Sequence, residues 1–184
     1  EKISNAGAAI SKQENNGSSV LWFDEVMREE QIWERRVEDD MDKALENHEF
    51  KVYLQPKYST KKEELSAAEA LVRWIHPEFG FVRPDIFIPL FEEHGLITML
   101  DRYVWEESAK QIKLWKEKLG VTIPVSVNVS RVDIAAPDMT DFIKKIVVEN
   151  GLSPQDYMLE ITESAYTEDS KRIIEVVKNL RALG

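Results

Sequence analysis

The sequence predicts an α/β fold whose strands form a parallel sheet or barrel. Two observations carry this reading. Beyond residue 49, short β-rich segments alternate with helical ones, the order expected of strand–helix–strand units. Three of those strands also carry a polar residue in their C-terminal half, and the C-terminal strand ends are where such folds gather their sites. At 184 residues the chain has room for one ordinary domain, or a domain with an appended piece.

Taken in order, residues 1–31 differ from the rest. "KQENNGSS" (12–19) reads as a polar turn and "VLWFD" (20–24) as a short apolar strand. Ile32, Val37, Met41 and Leu45 then form a rough stripe at helical spacing, so 26–48 is expected to be a helix connecting two regions. "FKVYLQPKYS" (50–59) is strand-like, its aromatic and β-branched run ending at Pro56. A strand is expected at 66–74, followed by a loop holding Pro77, Gly80 and Pro84, a short helix at 85–93 and a longer one at 97–119. "PVSVNVS" (124–130) alternates β-branched residues as a strand does. A helix at 138–149 ends on Asn150–Gly151, a C-cap pair. "YMLEITES" (157–164) is a strand and 168–183 a helix stopping at Gly184.

Composition removes several function classes. The chain is 43% hydrophobic and 32% charged, as soluble globular proteins are. No apolar run reaches the roughly 18 residues of a transmembrane helix, and the first residues lack a signal peptide's basic and apolar regions. A membrane tether upstream in a parent protein stays open. The absence of Cys rules out disulfides, thiolate nucleophiles and Cys-bound zinc, and fits a reducing cytoplasm. A net charge of −10 argues against a nucleic-acid polymer as partner. A small anion could still bind through a few local cations or a bridging metal ion.

The candidate site comes from polar residues inside apolar strands. "AAEALVRW" (67–74) holds Glu69 and Arg73 four residues apart, and a buried charge without a partner costs several kcal/mol. Asn128 and Glu160 interrupt two further strands in the same way. Three oxygen ligands converging at strand ends suit a hard divalent cation such as Mg²⁺ or Mn²⁺. Singly, each could instead satisfy loop amides, and Arg73 could close a strand end as a salt bridge. His76 and His94 fall in loops and suggest no imidazole site.

"EALVRW" resembles the signature of the EAL domain, the bacterial module that hydrolyses cyclic di-GMP. "YLQPKY" (53–58), "RWIHPEFGFVRPDIFIPLFEEHGLI" (73–97), "LDRYVW" (100–105), "SVNVS" (126–130) and "LEITES" (159–164) resemble the family's blocks in the family's order. The resemblance implies the first part of an EAL-type modified TIM barrel over 50–184, with 32–49 as a linker helix. It further implies that Glu69, Asn128 and Glu160 bind catalytic Mg²⁺ or Mn²⁺, and that Gln55 and Arg73 contact the dinucleotide. Asp101 is expected either at a guanine edge or as a helix N-terminal acid, and Glu163 as the support of an active-site loop. The implied reaction opens cyclic di-GMP to linear pGpG.

One departure matters. The family's D-D-F-G block, its later Lys and Glu, and its closing strands have no counterpart in these 184 residues. Residues 1–31 resemble the tail of a GGDEF domain without its motif. The expectation is therefore a partial barrel from a longer GGDEF–EAL protein. As an isolated piece it would be inactive, with an open strand edge at 157–163 that favours a homodimer. The alternative is a catalytically silent EAL module that binds cyclic di-GMP or a partner protein and passes the signal through the 26–48 helix.

Overall fold

A computed structural model describes residues 33–161 and 170–184, with side chains 170–172 left aside. The chain divides into two compact units, Glu1–Asp42 and Lys43–Gly184. In the first, residues 33–39 are helical and Arg36 pairs with Asp40 one turn on. A turn at Asp40 interrupts the helix expected over 26–48 before α1 (Met41–Glu46). The turn expected at 12–19 and the strand expected at 20–24 lie outside the described residues.

The second unit begins with a hairpin. Strand β1 (Phe50–Ser59) pairs antiparallel with β2 (Glu64–His76), and β3 (Gly80–Val82) folds back antiparallel on the end of β2. From there the sheet is parallel, β2 to β4 (Val125–Val129) and β4 to β5 (Tyr157–Ile161). Among the described residues the order is β1-β2-β4-β5 and the sheet is open. The strands are thus parallel as expected from β2 onward, and the antiparallel β1–β2 pair is the exception. A handful of residues separates β1 from β2, whereas a parallel pair needs a crossover of a dozen or more.

The helices follow the expected places. α2 (Pro84–Glu93) starts on a proline, whose fixed φ suits the first helical turn. α3 (Ile97–Leu119) turns Leu100, Val104, Trp105 and Ile112 into the core. It ends at Gly120, whose φ of 66° is the left-handed conformation glycine adopts freely. Three short elements were not anticipated: β3, a 3-10 turn at Pro154–Asp156, and α4 (Arg131–Ala135). The last is opened by a capping box in which Ser130 and Asp133 satisfy each other's backbone amides. α5 (Met139–Glu149) runs into Asn150–Gly151, and α6 (Ser170–Ala182) lies beyond β5.

The core lies on one face of the sheet. Ala68, Ala70 and Trp74 of β2 and Val125, Val127 and Val129 of β4 are all buried there. Phe50, Trp74, Phe87 and Phe91 form an aromatic cluster beneath α2, with Phe50 and Trp74 ring centroids 4.9 Å apart. Two hydrogen bonds fasten α3 to the parallel strands. Trp105 Nε1–H donates to the Asn128 carbonyl (2.9 Å), and the Tyr157 hydroxyl donates to the Trp105 carbonyl (2.9 Å). His76 ends β2 rather than lying in a loop. It is buried, its Nδ1 accepts from the amides of Glu78 and Phe79, and its ring stacks on Phe79. Among the described residues no helix is long and apolar enough to cross a membrane.

Candidate functional site

Strand register puts the polar residues on one face. In a ladder, directly paired residues point to the same side and alternate residues share it. Gln55 pairs with Glu69, Glu69 with Ser126, Asn128 with Glu160, and Lys51 with Arg73. Gln55, Lys57, Glu69, Arg73, Ser126, Asn128 and Glu160 therefore project from the face opposite the apolar core. Hydrophobic alternation in β4 produces this directly, since burying Val125, Val127 and Val129 turns Ser126 and Asn128 the other way.

Two carboxylates meet on that face around one cation. The Lys57 ammonium lies 3.1 Å from Glu69 Oε2 and in direct contact with Glu160 Oε1. It also donates to the Ser126 hydroxyl at 3.1 Å. Hydrogen bonding to Lys57, and then to Ser126, holds the Glu160 carboxyl below its ordinary value. Lys57 is held above its own, first by the hydrogen bond to Glu160. Charge and hydrogen bonds on the ionised forms favour them in both cases.

The other expected residues gather a short distance away. Arg73, Asn128 and Asp101 line a cavity of about 180 Å³ between the sheet and helices α2 and α3, together with Pro84, Ile88 and Glu92. The Arg73 guanidinium donates to the Val72 carbonyl at 2.8 Å and lies 5.9 Å from the Tyr53 ring centroid. Asn128 belongs to both groups, being Cα-paired with Glu160 and among the residues that line the cavity. Gln55 is exposed beside Glu69. Asp101 sits in the second turn of α3 and not at its N-terminus. Its carboxyl is pushed up to about 9, chiefly by burial and then by the hydrogen bond to Asp133 and that group's charge. Asp133 is itself 1% exposed and takes a hydrogen bond from the Ser130 hydroxyl. Glu163 lies outside the described residues.

The geometry offers paired carboxylates and a hydroxyl around the Lys57 ammonium, with an amide and a guanidinium lining a small cavity nearby. The EAL domain model matches residues 38–184. The chain belongs to the EAL domain family. Its sequence is 28% identical to MucR of Pseudomonas aeruginosa, named a bifunctional diguanylate cyclase/cyclic di-GMP phosphodiesterase, over all of this chain and 27% of MucR. It is 33% identical to the cyclic di-GMP phosphodiesterase PdeR of Escherichia coli, over 84% of this chain and 23% of PdeR. A solved structure of the MucR phosphodiesterase in complex with cyclic di-GMP matches with a TM-score of 0.76 at 30% identity. That match covers 81% of this chain and 60% of the other. The chain thus spans about a quarter of the length of these curated relatives, and its strands form part of the TIM-barrel-like EAL fold.

Three residues of this EAL domain escaped the sequence reading: Lys57, Ser126 and Asp133. Lys57 follows Gln55 by two in a strand, and Ser126 precedes Asn128 by two, so period-2 alternation carried the signal for both. Asp133 closes an S-x-x-D capping pattern with Ser130.

Proposed function

We propose that this EAL domain hydrolyses cyclic di-GMP to linear pGpG within a longer protein, using Mg²⁺ or Mn²⁺. The observation that carries the reading is the convergence of Glu69 and Glu160 on a single cation next to a cavity lined by Arg73 and Asn128. Two carboxylates with hydroxyl and amide oxygens beside them are a donor set that fits a hard divalent ion. Among the described residues no three His, Cys, Asp or Glu side chains enclose such an ion on their own. Glu69, Glu160 and Asn128 are the residues that would hold it. When bound, the ion would supply a hydroxide near neutral pH and offset charge on the reacting phosphate.

The remaining roles belong to the chain's own groups. Arg73 presents a planar fork of N–H donors that matches two phosphodiester oxygens. Gln55, exposed on the same face, offers an amide to the dinucleotide. Asp101 keeps its proton near neutral pH, so its carboxyl can donate as well as accept a hydrogen bond at a guanine edge. Glu163 is proposed as the support of an active-site loop.

A pGpG assay on the parent protein tests the reading, with Mn²⁺ present and with chelator. Turnover should require the ion and fall at least about 10²-fold in Glu69→Ala. Full activity of Glu69→Ala in chelator would end it. One observation favours a second reading, a receptor that binds cyclic di-GMP without cleaving it: the carboxylate pair is already neutralised by Lys57. Calorimetric binding of cyclic di-GMP without any pGpG would select that reading.

A further inference from the structure

We propose that Lys57 is an internal counter-ion that occupies the space between Glu69 and Glu160 until a divalent cation displaces it. The inference rests on the metal-dependent reading of the site and concerns how that site is held when no ion is bound. The ammonium has three N–H donors, and three oxygens surround it. These are Glu69 Oε2 and Ser126 Oγ, each at 3.1 Å, and Glu160 Oε1 in contact. Each comes from a different strand, so one side chain of β1 ties together β2, β4 and β5.

The local backbone is built to aim it. The β1–β2 register shifts between Lys57 and Tyr58, an irregularity of the kind that redirects a side chain. The Ser66 hydroxyl pins the Lys57 carbonyl at 2.9 Å on the far side of that shift. Without a cation, two carboxylates this close would repel, and a site that must stay open for substrate would lose its shape. Only one cation at a time can lie between them. A lysine on a flexible, partly exposed stem can swing out, which a rigidly stacked arginine does less readily. Lys57 thus lowers affinity for the divalent ion while preserving the arrangement that receives it, and acts as a positioning residue.

The test is Mn²⁺ affinity in the parent protein without cyclic di-GMP, measured by titration calorimetry or by loss of the free-ion paramagnetic signal. Lys57→Met should bind Mn²⁺ at least about tenfold more tightly than wild type, because one competing charge is gone. Its melting temperature should be lower than wild type in chelator and recover on adding Mn²⁺. Lys57→Gln, which keeps a polar contact but no charge, should shift affinity the same way and serves if the Met variant does not fold. Equal or weaker Mn²⁺ binding by the variants, with wild type still binding, would overturn the counter-ion role and leave the metal reading standing. Absence of Mn²⁺ binding from wild type and variants alike would overturn both.

Discussion

The two faces of the same four strands do opposite work. On one, Phe50, Trp74, Val125, Val127 and Val129 are each 1% exposed or less, and Phe50 and Trp74 pack on Phe87 and Phe91 of α2. On the other, Lys57, Glu69 and Glu160 keep 39%, 26% and 40% of their side chains accessible and meet one another. Apolar burial is non-directional and scales with area, so the first face fixes the fold with residues that tolerate similar replacements. The second face is directional: its residues matter mainly through where their charges point. Substitutions on the two faces should therefore separate stability from chemistry.

The largest stability effect is expected on the apolar face. Trp74 is fully buried and packs on Phe50, Phe87 and Phe91, while its Nε1–H donates to Glu49 at 3.1 Å. Trp74→Ala should cost about 3–5 kcal/mol, the usual range for removing a core aromatic ring. Denaturant unfolding would measure it, and a loss under 1 kcal/mol would show that the two faces are less distinct than their burial suggests. Glu69→Ala is the counterpart. It should leave unfolding nearly unchanged while lowering parent turnover at least about 10²-fold, equivalent to about 2.7 kcal/mol of transition-state stabilisation.

Much of this division was legible in the sequence. The long helix of 97–119 and the strands around Asn128 and Glu160 come straight from apolar periodicity, and Glu69, Asn128 and Glu160 stand out because each breaks an apolar run. Three things were not legible. β3 has three residues and α4 has five, too few for a period to register. The antiparallel β1–β2 pair was lost among signs of alternating strands and helices, although the short connection between them required it. Lys57 lies inside the expected strand 50–59, which β1 matches, but a single lysine among polar and aromatic residues breaks no apolar run and so did not stand out. Proline is tolerated on an edge strand, where one N–H needs no partner, and β1 is at the edge among the described strands.

The polar face can itself be divided. Arg73 lines the cavity and is proposed to grip phosphate, whereas Asn128 is proposed to hold the ion. Arg73→Ala should weaken cyclic di-GMP binding to the parent by about 1.5–3 kcal/mol, the scale of a charge-assisted hydrogen bond. Asn128→Ala should act mainly on turnover. Calorimetry beside steady-state kinetics reads both, and matching losses of affinity and rate in the two variants would show that phosphate grip and ion holding are not separate.

The smallest expected effect concerns Asp101, which blurs the comparison by bringing a titratable group into the packed side of the cavity. Its carboxyl is pushed up to about 9 by burial first, then by Asp133, with Glu92 adding slightly and Ser130 opposing. An unfolded Asp titrates near 3.9. Below about pH 4 both states hold the proton, and the burial carries no ionisation cost. Between about pH 4 and 9 the unfolded chain has released a proton that the folded chain keeps, so folding stability from this group falls as pH rises. Asp101→Asn keeps the shape and a donor toward Asp133 but does not titrate. The variant should match wild type near pH 4 and exceed it at pH 8 by about 1–2 kcal/mol, a discounted share of the full linkage. Urea unfolding of wild type and variant at pH 4, 6 and 8 measures the difference. Parallel pH profiles would show that Asp101 is ionised in the folded protein, and that the acid pair relies on solvent or a cation that relieves its burial.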